Sequence, residues 1–214
     1  VSHDLRSPLM SILGVANLAE IDVEDPKSLE YFKSIKGMVD KLDGYIHDII
    51  DHYKEKNGSS QMAKIQFEHL INDIIESIKY HPMAQGVRFD VEVNQTVDFI
   101  SNTMNIKTVL SNLISNAFKY QREDEENKLV EVFADVTSQS ALIRVRDNGV
   151  GIKKEKLNDV FKMFYRDQTD EQGSGLGLFI VREAIEKLNG EIDLKSEFGK
   201  GTEVSLQLPT RNEV

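Results

Sequence analysis

The strongest constraint on how this chain folds is a change in the period of its apolar residues. Leu5, Leu9, Ile12, Ala16 and Ala19 step by 4, 3, 4, 3, and Phe32, Ile35, Val39, Leu42, Ile46, Ile49 and Tyr53 step by 3, 4, 3, 4, 3, 4. Seams of this kind specify helices packed along their length. The turn "DVEDPK" at 22–27 separates them, which makes an antiparallel helical hairpin. Beyond residue 61 the alternation is every second residue in "VRFDVEV", "LVEVFADV", "ALIRVRD", "EIDLKS" and "TEVSLQL", which read as strands. Helical stretches near 68–80, 103–121 and 176–189 interleave with them. The predicted class is α+β with two domains: a helical hairpin over 1–57, a polar hinge at 58–61 inside "KEKNGSSQ", and an α/β sandwich over 62–212. The sandwich should hold a mixed sheet with helices on one face, because the hairpin-like "EFGKG" joins its last two strands.

One hairpin with such long seams cannot bury both of them. Either a second copy completes a four-helix bundle, or the hairpin docks onto its own C-terminal domain. The second copy is the simpler remedy, so a homodimer is expected.

Charge and composition exclude several classes. With 26 basic and 36 acidic residues the net charge is −10, which argues against nucleic acid as a ligand. An anionic nucleotide would need local help from a metal, a lysine or backbone amides. No apolar run approaches the ~20 residues that span a bilayer, so no membrane contact is expected of this stretch. The absence of cysteine rules out disulfides and thiolate metal sites and fits a cytoplasmic setting. The chain starts without methionine directly before "HDLRSPL", and is expected to be a fragment whose first helix extends further N-terminally in the parent.

Three glycine clusters follow in the second region: "DNGVGI" (147–152), "GSGLGL" (173–178) and "GKGT" (199–202). Each alone is ordinary turn punctuation. "GSGLGL" is no dinucleotide fingerprint, since Leu178 stands where the third glycine belongs, and "GK" at 199 has Leu194 where a P-loop needs glycine. It is a glycine-rich turn running into an amphipathic helix, whose free N–H groups can bind phosphate. Asn112, Asn116 and Lys119 in "NLISNAFKY" share one helix face. They are either its wet face or a set suited to a hydrated Mg2+–phosphate group.

"HDLRSPL", "NLISNAFKY", "DNGVGI", "VFKMFYR", "GSGLGLFIV" and "GKGT" occur in that order. Together they closely resemble the catalytic core of a bacterial sensor histidine kinase of two-component systems, over essentially the whole chain. The resemblance implies a dimerisation and phosphoacceptor hairpin followed by a GHKL-type ATP-binding domain. The histidine that accepts the γ-phosphoryl group of ATP falls on His3, whose neutral imidazole offers a nucleophilic nitrogen at pH 7. The acidic neighbour that acts as base falls on Asp4. Successive helix residues do not face each other, so this contact takes a bent rotamer; alone, Asp4 reads equally as a solvated helix-start carboxylate. Ser7 lies one turn on, where family members often carry a Thr or Asn that positions water for dephosphorylating the response regulator. Pro8 should bend the helix just after the phosphoacceptor.

The resemblance further implies ATP and Mg2+, with Asn116 on the metal and Asn112, Lys119 and Tyr120 around the phosphates and ribose. Asp147 would bond the adenine amino group, with Gly149, Gly151 and Ile152 making room for the ring. Phe161 and Phe164 match an aromatic box that anchors a mobile lid over 165–175. Gly173, Gly175, Leu176 and Gly177 would line the phosphates, and "GKGT", with Thr202, would close the far side.

Two positions depart from the family pattern: Asn102 and Asn105 stand where an acidic residue and an arginine are common. Related clamp ATPases carry a water-activating glutamate at the position of Asn112, so the kinase reading is preferred to ATP hydrolysis. His47 and His52 do not form the H-E-x-x-H of a metal hydrolase. A catalytically weak dimerisation or nucleotide-binding module is the alternative, against which the intact His3, Asn116, Asp147 and glycine boxes speak. The implied reaction is autophosphorylation of His3, then transfer to an aspartate on a response-regulator receiver domain, by positioning and charge neutralisation.

Overall fold

A computed structural model of the chain describes residues 2–23, 25–39, 42, 62–81, 84–165 and 175–210. The hinge expected at 58–61 lies outside them. The chain forms two compact units, a helical N-terminal one and an α/β one that holds the described residues 62–165 and those from 177 onward.

The helical unit contains α1 (Ser2–Asp22) and a second helix, α2, over 26–39. α2 begins on a built cap: the Asp25 carboxylate accepts the backbone N–H of Ser28 at 2.9 Å and its hydroxyl at 2.6 Å. Those bonds hold the Asp25 carboxyl below its ordinary range. Pro26 fills the first helical position, where a missing N–H costs nothing. Leu9, Ala16 and Val39 are buried, and Lys36 pairs with Glu20 of the other helix at 2.6 Å. Leu13, Ala19, Leu29, Phe32 and Ile35 are half-buried, whereas Val15, Leu18 and Ile21 on α1 are 66%, 63% and 79% exposed and Tyr31 and Met38 on α2 are 59% and 54% exposed. α1 runs through Pro8, whose lack of an N–H leaves the Asp4 carbonyl without its helical donor.

In the second unit, β2 (Arg88–Gln95), β4 (Leu129–Val136), β5 (Ser140–Asp147), β7 (Gly201–Pro209) and β6 (Glu191–Glu197) form one sheet in the order β2-β4-β5-β7-β6. β2 and β4 are parallel and every other pair is antiparallel, so the sheet is mixed, as expected. On β4 and β5 alternate residues are buried, and Val130, Val132, Ala134, Ile143 and Val145 meet one layer of helices. These are α3 (Phe67–Lys79), α4 (Thr103–Lys119) and α5 (Gly177–Lys187), which contribute Ile71, Leu110, Ile114 and Ile185 to the core.

A second, two-stranded sheet of β1 (Met62–Ile65) and β3 (Phe99–Asn102) was not visible in the sequence pattern, its strands being only four residues each. It seats α3. Gln66 supplies no side-chain cap there; instead Gln95, at the end of β2, accepts the Phe67 N–H at 3.1 Å and donates to the Ile65 carbonyl at 2.8 Å.

Candidate functional site

Helix α4 presents the first half of the site. Asn102 caps it by accepting the Asn105 N–H at 3.0 Å, and Lys119 lies in its last turn, where a cation favours the helix dipole. Ile106, Val109, Leu110, Leu113 and Ala117 are buried, which leaves Asn112, Asn116 and Lys119 half-buried on the other face. Asn112 is tethered by donating to the Thr108 carbonyl at 2.9 Å. The Lys119 ammonium lies 3.1 Å from the Tyr120 hydroxyl and 4.6 Å from the centre of its ring. The two departures from the family pattern have structural work: Asn102 is the cap, and Asn105 is buried behind it.

Helix α5 delivers its N-terminus to this face. A Cβ on Gly177 would stand 2.9 Å from Asn112 Oδ1 and 3.7 Å from Asn116 Oδ1, so the first turn lies close against the carboxamides. The first turn of α5 and two carboxamides therefore lie side by side, and a helix N-terminus favours anions. Leu176 is buried, and Gly175 turns with φ 70°. Gly173 and most of the expected lid over 165–175 lie outside the described residues. Phe161 is half-buried, whereas Phe164, at φ 61°, is 51% exposed.

The other half of the site is built at the end of β5. Asp147 Oδ1 accepts the Gly149 N–H at 2.9 Å and the Thr202 N–H at 3.3 Å. Burial pushes the carboxyl up to about 6, against those two bonds, which favour the ionised form. Backbone runs very close around it. A Cβ on Gly149 would meet the Tyr120 carbonyl at 2.1 Å, and one on Gly151 the Glu197 carbonyl at 2.1 Å. At Gly201, φ 116°, it would meet the Asp147 carbonyl at 2.0 Å. Ile152 donates its N–H to Ser196 Oγ at 2.8 Å, and Ser196 also bonds the Gly201 carbonyl and Thr202 Oγ1, each at 2.9 Å.

Thus α4, α5, the loop after β5 and the β6–β7 turn place Asn112, Asn116, Lys119, Tyr120, Asp147, Gly149, Gly151, Ile152, Gly177 and Thr202 in one unit. His3, Asp4 and Ser7 lie on α1 of the other unit; their backbone is helical and their side chains are outside the described set. Sequence reasoning missed Ser196 and Asn148. Asn148 accepts the Leu129 N–H and donates to the Asn127 carbonyl, both at 2.8 Å, which locks the start of β4. Only strand register reveals Ser196, which stands opposite Thr202.

The site offers oxygen ligands for a hard cation. Among the described residues no three His, Asp or Glu side chains cluster. The Asn116 carboxamide oxygen is of the kind that Mg2+ prefers.

Two sequence families match the chain: residues 1–58 the His Kinase A (phospho-acceptor) domain, and residues 101–212 the histidine kinase-, DNA gyrase B-, and HSP90-like ATPase. The chain is 32% identical to the autoinducer 2 sensor kinase/phosphatase LuxQ of Vibrio vulnificus, over 98% of its own length and 26% of that protein. It is 31% identical to the sensor histidine kinase GacS of Pseudomonas protegens, over 98% of its own length and 24% of that protein. The chain therefore spans about a quarter of the length of these relatives. Full-length ShkA, solved in complex with AMPPNP, superposes with a TM-score of 0.71 at 22% identity, over 100% of this chain and 45% of that one. Acinetobacter baumannii histidine kinase AdeS gives 0.67 at 20% identity, over 99% of this chain and 100% of that one.

Asp147 sets a pH signature. A carboxyl raised in the fold contributes stability that is complete below its unfolded value of 3.8 and is lost as pH rises through about 6. Asp147→Asn should therefore gain stability relative to wild type between pH 4 and pH 7, by on the order of 2 kcal/mol, in urea melts at the two pH values. A difference that does not change with pH would contradict the burial of this carboxyl.

Proposed function

The chain belongs to the two-component sensor histidine kinases, as a phospho-acceptor domain joined to a GHKL-type ATPase domain, and from that premise we propose that it phosphorylates His3 from ATP and passes the group to an aspartate of a response-regulator receiver domain. One observation carries the ATP part of this reading: a half-buried carboxylate and a helix N-terminus bordered by carboxamides occur at the two ends of a single helix-lined site. Asp147 accepts the exocyclic amino group of adenine, a contact that is strongest when the carboxylate is ionised. The α5 N-terminus, Lys119 and Asn112 take the phosphates, and Asn116 holds Mg2+ against them. The metal, when bound, draws charge from the phosphate oxygens and so eases departure of the ADP leaving group.

In the transfer itself a nitrogen of the His3 imidazole bonds to the γ-phosphorus while the bond from that phosphorus to the bridging oxygen breaks, releasing ADP. The ring proton passes to Asp4. Little covalent work falls to the protein, so its contribution is alignment and charge neutralisation. The phosphoryl group then moves from nitrogen to the receiver carboxylate.

We assign the active form to a homodimer. Val15, Leu18 and Ile21 together expose a stripe of α1 that a second hairpin would cover. The setting is taken to be the cytoplasm, where ATP and receiver domains are found; among the described residues no helix is long and apolar enough to cross a membrane. Ser7, one turn after His3, is assigned to water positioning in the reverse reaction on the phosphorylated receiver.

Incubation with γ-labelled ATP and Mg2+ should label the wild type and leave His3→Gln and Asn116→Ala at background; equal label in all three would refute the kinase. Ser7→Ala should slow dephosphorylation of a phosphorylated receiver about tenfold or more, as expected when a general acid–base or water-positioning group is lost, read by the decay of labelled receiver. In analytical ultracentrifugation the chain should sediment as a dimer, and Leu18→Lys as a monomer.

A further inference from the structure

Among the described residues outside those already assigned, Arg122 makes a side-chain bond of long range near the site. It lies two residues past Tyr120, in the acidic run "QREDEEN". Its Nη1 donates to the carbonyl of Gly199, 77 residues away, at 2.8 Å. The rest of its fork is held by Asp124, with Nε to Oδ1 at 3.1 Å and Nη2 to Oδ2 at 2.8 Å. The Arg122 side chain is 30% exposed and that of Asp124 74% exposed.

Gly199 stands in the β6–β7 turn, and that turn rests directly on the loop after β5. Gly199 donates its N–H to the Val150 carbonyl at 2.8 Å, and Val150 donates its own to the Tyr120 carbonyl at 2.9 Å. With Arg122 reaching back to the Gly199 carbonyl, three separate segments close into one ring of hydrogen bonds. Two residues beyond Gly199 is Gly201, whose backbone touches Asp147, and next is Thr202, whose N–H holds the Asp147 carboxylate.

We propose that Arg122 is a positioning residue for the base end of the nucleotide site, acting through the β6–β7 turn to hold Thr202 against Asp147. This rests on the ATP-binding reading given above. The Arg122–Asp124 pair is surface ion pairing and adds little by itself. Its use is to aim the fork, so that the remaining N–H makes a charge-assisted bond to Gly199, stronger than a bond between neutral groups. With Arg122 shortened, the turn loses its tie to the segment after α4 and is left with the Gly199–Val150 backbone bond and the bonds that Ser196 makes to Ile152, Gly201 and Thr202. Thr202 can then drift from Asp147, and a nucleotide must restore the geometry as it binds. The loss falls on affinity, because the groups at the phosphates sit on α4 and α5 and are not touched.

The test is ADP affinity by isothermal titration calorimetry, with autophosphorylation at saturating ATP, for wild type, Arg122→Ala, Arg122→Lys and Asp124→Ala. Arg122→Ala should weaken ADP about tenfold and leave kcat within about twofold. Arg122→Lys should recover part of the affinity, since an ammonium can reach the Gly199 carbonyl but cannot fork onto Asp124. Asp124→Ala, which leaves Arg122 in place but unaimed, should fall between wild type and Arg122→Ala. It also decides the matter should Arg122→Ala fail to melt cooperatively. Affinities equal to wild type in Arg122→Ala and Asp124→Ala would overturn the proposal, as would a kcat that falls in step with affinity. A wild-type chain that binds no ADP would instead strike the ATP-binding reading itself.

Discussion

One carboxylate oxygen organises this molecule's second unit. Asp147 Oδ1 takes an N–H from Gly149, just after it in the chain, and another from Thr202, on a strand that returns 55 residues later. The first bond shapes the loop and the second ties that loop to the far strand. Both are possible only because backbone comes within van der Waals range of backbone, which Gly149, Gly151 and Gly201 permit by lacking a Cβ. The glycines make the space, and the carboxylate fixes what occupies it. The sheet order follows the same logic, since β5 must lie beside β7 for the two N–H groups to converge.

The electrostatics of the site are divided in two along α4. At its C-terminal end, by Tyr120, the loop after β5 brings up a carboxylate that burial makes reluctant to ionise. One to two turns earlier, the Asn112 and Asn116 carboxamides meet the N-terminus of α5, whose helix dipole favours anions. A protein with a net charge of −10 binds a polyanion by such local means or not at all. An adenine nucleotide has matching ends, with a hydrogen-bond donor on the base and a chain of negative oxygens.

Much of this was legible in the sequence, and the failures have a common cause. Period-two alternation located β4 and β5 almost to the residue, because each buries one face and not the other. The 4 and 3 spacing of Asn112, Asn116 and Lys119 put them on one face of α4, where they stand. The mixed sheet followed from one hairpin turn. What escaped notice is held by partners distant in sequence: Gln95 capping α3, Ser196 bridging Ile152 and Thr202, Arg122 reaching Gly199. A side chain whose partner lies dozens of residues away leaves no periodic trace. The hairpin seams were read correctly at Leu9, Ala16 and Val39, yet Ile12 and Leu42 of the same seams remain nearly half exposed. A heptad pattern says which residues want burial without saying which surface will cover them.

The bond from Thr202 to Asp147 also bears on the order in which the chain becomes competent during its own synthesis. β5 and β7 must both be in place before that bond forms, and β7 is the last of the described strands to be made. A helical hairpin has mostly local contacts and forms quickly, whereas a sheet that joins β2 to β4 and β5 to β7 must wait for distant partners. The N-terminal helices can thus fold while the site around Asp147 is still open on one side. A nascent or truncated chain that stops short of residue 202 carries the helical unit but lacks the N–H that holds Asp147 from the far strand.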